Sequence, residues 1–104
     1  MLKSQKEGEK LYVYLCGDLD HCAASALRPE IEALIRDPGI RELHLDFSGV
    51  SFIDSSGIGM IIGRYKSMVN RGGHVSAGAL AQPVERLFRL AGLHRIIPII
   101  STEE

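Results

Sequence analysis

Asp54-Ser55-Ser56-Gly57 sets a carboxylate, two hydroxyls and a glycine in succession, directly after the apolar residues Val50, Phe52 and Ile53. These are N-cap residue types, and a helical pattern follows them. A hydroxyl in a helix's first turn lies where unpaired amides and the helix dipole favour negative charge. Ser56 could therefore accept a phosphoryl group, gaining about −1.5 to −2 charge while leaving the helix intact. With a histidine and an aspartate it could instead be a nucleophile. It could also simply cap the helix, which on the local residues alone is the commoner use of such a serine.

The helix that starts here predicts two faces. Ile58, Ile61, Ile62, Tyr65 and Val69 fall at helical spacing and are expected to face the core. Counting by three and four from Ser56 gives Gly59, Met60, Gly63 and Arg64, a strip expected to be exposed. Each glycine inside a helix costs about 1 kcal/mol relative to alanine, so the pair asks for a reason. Either the helix packs closely on a neighbour within the domain, or it offers a flat strip for another protein's backbone. Arg64 would then contact a partner carboxylate, and Asp54 beside a phosphorylated Ser56 would add like-charge repulsion against an acidic partner group.

Catalytic and cofactor readings find little support. No Gly-x-Ser-x-Gly elbow surrounds Ser56, and His44 and Asp46 point off a strand instead of converging on it. Gly57-x-Gly59-x-x-x-Gly63 has one residue too many for a dinucleotide loop, and no Gly-Lys-Ser/Thr follows for a phosphate loop. No nucleotide cofactor is expected; any ATP is brought by a partner. His21, His44, His74 and His94 are scattered without metal-ligand spacing, so no metal site is expected and solvated or capping roles are the default.

The positioning elements can be read in order. Leu2–Gln5 predicts a hydrophilic first strand, Glu7-Gly8-Glu9 a hairpin turn, and Lys10–Cys16 a strand alternating Leu11, Val13 and Leu15 with Tyr12 and Tyr14. After Gly17-Asp18-Leu19-Asp20 a helix is expected to bury Ala23, Leu27, Ile31, Leu34 and Ile35. Pro29 requires it to begin only at Ala26, or to kink if it begins near His21. Asp37-Pro38-Gly39 ends it. Leu43, Leu45 and Phe47 form the next strand, with Ser48-Gly49 read as a loop. Arg71-Gly72-Gly73 ends the organising helix, and His74–Gly78 is a short strand. Gln82-Pro83 opens a third helix burying Val84, Leu87, Phe88 and Ala91 and capped by Gly92. Ile96–Ile100 is expected to be a final edge strand because of Pro98.

Strands alternating with helices imply right-handed crossovers and a mixed, mainly parallel α/β sheet of four to five strands with three helices. Functional loops then gather at the carboxyl ends of the strands, which would bring Asp18–His21, Asp54–Gly57 and the turn near Gly78 to one edge. Asp20 and His21 thereby join the proposed docking surface.

The chain's 104 residues are enough for one domain that buries roughly 65% of its unfolded surface. A net charge of −1 gives no bulk attraction to nucleic acid or to anionic membrane. Met1–Lys10 lacks a signal peptide's apolar segment, and no run approaches membrane-spanning length, which implies a soluble cytoplasmic protein. Cys16 and Cys22, six apart, are read as reduced packing residues.

Phe52 to Gly59 followed by Gly63-Arg64-Tyr65-Lys66 resembles the signature of the anti-sigma factor antagonists, the STAS-domain family, and most of all its sporulation branch. The likeness extends to Gly17-Asp18-Leu19-Asp20-His21 upstream, and downstream to Val84-Glu85-Arg86-Leu87-Phe88, Gly92-Leu93 and Ile96-Ile97. It implies a single STAS domain over residues 1–104, wound as a βα superhelix, without the family's usual final helix. It also implies a non-catalytic switch. The unphosphorylated chain would bind an anti-sigma factor that is also a serine kinase of the histidine-kinase-like ATPase type, releasing the sigma factor. Phosphorylation would fall on the second hydroxyl, Ser56, leaving Ser55 as a cap candidate, and a serine phosphatase would reset the switch. The partner-binding residues so implied are Asp20, His21, Asp54, Ser55, Ser56, Gly57, Gly59, Met60, Gly63 and Arg64. A STAS module serving a stress or scaffold circuit, and a small serine hydrolase, are the alternatives.

Overall fold

A computed structural model describes residues 2–100. Strand β1 (Lys3–Glu7) and strand β2 (Lys10–Leu19) form a hairpin, Glu7 facing Lys10 across Gly8-Glu9. Helix α1 (His21–Ile35) leads to β3 (Glu42–Ile53), α2 (Ser55–Asn70) to β4 (His74–Gly78), and α3 (Gln82–Leu90) to a single 3-10 turn at Leu93–Arg95. The sheet order is β1-β2-β3-β4, antiparallel in the first pair and parallel in the next two.

The period-two pattern decides which face is covered. Leu11, Val13, Leu15 and Leu19 of β2, Leu43, Leu45 and Phe47 of β3, and Val75 and Ala77 of β4 share one core with residues of all three helices. Burial of this apolar surface is the main driving force for the fold. Phe47 meets Phe88 of α3 edge to face, with centroids 5.9 Å apart, a pair worth about 0.5–1.5 kcal/mol beyond its area. The alternate positions Tyr12, Tyr14, His44, Asp46 and Ser76 line the sheet's other face.

Ser48-Gly49, expected to be a loop, lies inside β3. The strand absorbs it as a bulge: Tyr14 pairs with Asp46, but Cys16 pairs with Gly49, and a second irregularity follows between Gly17 and Asp18. A β-carbon on Gly49 would come within 2.7 Å of the Cys16 β-carbon, so only glycine fits there. The bulges carry β2 and β3 well past their neighbours, since β4 stops opposite Asp46. The turn after Gly78 is therefore set back from the Asp20 and Asp54 loops and does not share their rim.

Other expectations are corrected in detail. The first strand runs Lys3–Glu7 and is exposed throughout. Helix α1 begins at His21 with Pro29 inside it, where the proline lies on the exposed side. It buries Ala24, Leu27, Ile31 and Ile35, while Leu34 is only partly covered. Ala91 is exposed, and both cysteines are exposed free thiols instead of packing residues. Ile96–Ile100 forms no strand; one parallel bridge, Ala77 to Ile99, holds it beside β4, on the edge where Pro98 allows it. Gly92 ends α3 in the left-handed region (φ 79) as expected. The expected absence of a last helix concerns the chain beyond Ile100, outside the described residues.

Candidate functional site

The rim is built by two adjacent helix starts. The Asp20 side chain caps α1, accepting from the Ala23 amide at 3.0 Å. Asp54 caps α2, one carboxylate oxygen accepting from the amides of Ser56 (2.8 Å) and Gly57 (3.1 Å). The Asp54 amide donates to the Leu19 carbonyl at 3.2 Å, which ties the two starts together. Two helix N-termini thus present their positive ends on one rim.

This settles which residue caps α2. Neither Ser55 nor Ser56 is the cap; Asp54 is, with extended backbone geometry (φ −112, ψ −172). Ser56 is the second helical residue and half-exposed, and its hydroxyl enters no side-chain hydrogen bond among the described residues.

The glycine strip divides. Gly57 is buried, close-packed on Leu19 and Ile53. Gly59 and Gly63 have nothing within 4 Å of where a β-carbon would stand. Packing inside the domain therefore explains Gly57 and leaves Gly59 and Gly63 as an open, flat stretch beyond Ser56.

Met60 and Arg64 do not belong to that open strip. Met60 is 2% exposed and part of the core, because α2 is rotated so that its flank toward α1 is covered. The helix buries Gly57, Met60, Ile61 and Met68, while Ile58, Ile62 and Tyr65 are only partly covered and Val69 is 44% exposed. Arg64 turns toward α1, pairing with Glu32 at 2.9 Å with its side chain only 11% exposed. The same Glu32 oxygen accepts from the Ser67 hydroxyl at 3.2 Å. From the sequence Glu32 reads as solvated, as a lone carboxylate on a helix does. Its place next to Ile31 of the buried stripe of α1 is the signal the sequence carries for it.

Of the sequence-derived candidates, His21, Ser55, Ser56, Gly59 and Gly63 remain accessible around the rim, with Asp20 and Asp54 holding the backbone beneath them. Phe52, read as part of an apolar run, is 46% exposed just ahead of Asp54, turned out by the bulged strand. No group of three metal-binding side chains occurs among the described residues, and no helix there is long and apolar enough to cross a membrane.

Comparison with known proteins bears on the family and the fold. The STAS domain model matches residues 2–104. An anti-sigma F factor antagonist of Paenibacillus polymyxa is 36% identical over 93 residues, covering 89% of this chain and 80% of that protein. An anti-sigma-B factor antagonist of Bacillus subtilis is 30% identical over 94 residues, covering 90% and 84% respectively. Among solved structures, the unphosphorylated form of the anti-sigma factor antagonist SpoIIAA superposes with a TM-score of 0.85 at 25% identity, over 100% of this chain and 90% of that one.

Proposed function

This chain belongs to the STAS-domain family, and from that membership we propose that it is an anti-sigma factor antagonist switched by phosphorylation of Ser56. In the unphosphorylated state the rim and the open strip dock on an anti-sigma factor, which lets go of its sigma factor. That anti-sigma factor also acts as the serine kinase, supplying the ATP and the base that activates the Ser56 hydroxyl. The added phosphate spoils the docked surface by charge while the helix start tolerates it. A separate serine phosphatase restores the acceptor. The switch works in the cytoplasm, where sigma factors meet RNA polymerase.

The observation that carries this reading is the division of labour at the start of α2. Asp54 takes the capping role, so Ser56 offers an uncommitted hydroxyl at the edge of a strip that nothing among the described residues covers. The names of the relatives support the class of partner, and the 36% identity to the sigma F antagonist of Paenibacillus polymyxa supports the sporulation circuit.

The test is intact-mass analysis after incubation with ATP and the cognate anti-sigma kinase, native chain against Ser56→Ala. One added phosphate on the native chain and none on the variant is the expected result. No phosphate on either, with binding retained, would leave a docking module controlled in another way.

A further inference from the structure

His44 stands on the sheet face away from the helices, yet it is only 2% exposed. Its Nδ1 lies 2.8 Å from the Ser76 hydroxyl on β4, and the Tyr12 ring on β2 meets it edge-on at 5.6 Å. Nε2 is buried with no hydrogen-bond partner among the described residues. That nitrogen is pressed against Gly78: a β-carbon there would stand 2.9 Å from Nε2 and 3.0 Å from the Ile100 carbonyl oxygen. The imidazole is thus wedged at the point where β4 meets the end of the described chain.

We propose that His44 is an acid-sensitive latch, whose protonation releases Pro98–Ile100 from the edge of β4. A second proton makes both ring nitrogens donors, and Nε2–H then has no acceptor within hydrogen-bond distance among the described residues. A buried charge without a partner is far more costly than a lost backbone hydrogen bond, so the structure around the ring must open. Around His44, from Glu42 to Asp46, β3 is paired without interruption to β2 on one side and β4 on the other. The weakest neighbour is the segment Pro98–Ile100, joined to β4 among the described residues by two backbone bonds, Ala77 N–H to the Pro98 carbonyl (2.9 Å) and Ile100 N–H to the Ala77 carbonyl (2.7 Å).

The charged surroundings favour the neutral ring. On β2, Lys10 places its ammonium 4.9 Å from the centre of the Tyr12 ring and opposes a second cation. Along β3, Asp46 favours the charged form, and Glu42 stands two residues the other way. On β4, His74 lies opposite Glu42 and Ser76 opposite His44, and Gln5 of β1 closes the row through Tyr12. Burial is the larger cause, and together with Lys10 it holds the His44 pKa below its ordinary value.

The test follows backbone amide exchange and the His44 ring resonance by NMR on the full chain between pH 7.5 and 4. Protection of the Ala77 and Ile100 amides should fall at least tenfold over the interval in which the ring titrates, while the Leu45 amide keeps its protection. His44→Gln, which offers Ser76 an amide partner and no titration, should hold protection flat. Lys10→Gln, at a position outside the core, should raise the ring's midpoint and carry the protection midpoint with it. Unchanged protection while the ring titrates, the same loss in His44→Gln, two midpoints that part in Lys10→Gln, or global unfolding before the ring titrates would each overturn the latch.

Discussion

The α-carbon of Gly57 is seated against the main chain of Leu19, so that a β-carbon there would overlap the Leu19 carbonyl oxygen and lie 2.9 Å from the Leu19 β-carbon. The first turn of α2 is thereby fixed to the end of β2. That contact sets Ser56 beside the α1 rim.

Three glycines of one helix should consequently respond in opposite directions. Gly57→Ala overpacks the contact and should destabilise by about 1–3 kcal/mol. Gly59→Ala and Gly63→Ala meet only open space and should each stabilise by about 0.5–1 kcal/mol through helix propensity. Urea unfolding measures all three. The same two stabilised variants should bind the anti-sigma partner more weakly, since a methyl group would lift the partner's backbone off the proposed docking strip. Unchanged affinity would take Gly59 and Gly63 out of the interface.

The cap assignment predicts an ordering. Asp54→Ala should cost about 1 kcal/mol, with Asp54→Asn close to native. Ser55→Ala and Ser56→Ala should stay within about 0.5 kcal/mol. A loss in Ser56→Ala as large as that in Asp54→Ala would return the hydroxyl to a capping role.

A carboxylate at the proposed acceptor position should separate folding from docking. Ser56→Asp places negative charge at a helix N-terminus, a favourable location worth about 0.3–1 kcal/mol, offset by its neighbour Asp54. Thermal melting should change little, while affinity for the anti-sigma factor falls at least tenfold by calorimetry.

Arg64 is committed within the chain, so it should matter more for stability than for binding. A double-mutant cycle between Glu32→Gln and Arg64→Met should give a coupling of about 1 kcal/mol, at the upper end for a partly exposed pair. Partner affinity of Arg64→Met should move less than about threefold, because the guanidinium already faces Glu32.

Stability should depend on pH in two windows. The folded pKa of His44 lies below its ordinary 6.5, so between the two values the unfolded chain holds more protons. Stability is then full above about pH 6.5 and falls as pH drops toward the folded value. Asp37 acts at lower pH: the Gly39 amide, with Lys6 helping, holds its carboxyl below the ordinary 3.8. Its contribution is present above that value and disappears as pH falls through the folded one. Urea midpoints measured against pH should show the upper window vanish in His44→Gln.

The local code was legible in the chain. Alternation in Leu11–Leu15 and Leu43–Phe47, the turn at Asp37-Pro38-Gly39, the Asp-Ser-Ser-Gly helix start and the Gln82-Pro83 start are each written within a few residues, by steric preference and capping chemistry. What the tertiary structure decided was rotation and register. Which side of α2 is buried depends on where α1 packs, and that placed Met60 in the core and Arg64 on Glu32. The bulges that keep Ser48-Gly49 inside β3 depend on Cys16 and Leu15 in the neighbouring strand, contacts no local window contains. His44 reads as solvated from its polarity, yet it is buried because Tyr12, Ser76 and Gly78 converge on it from other strands. A side chain's chemistry is local; its exposure is a property of whatever the rest of the chain brings beside it.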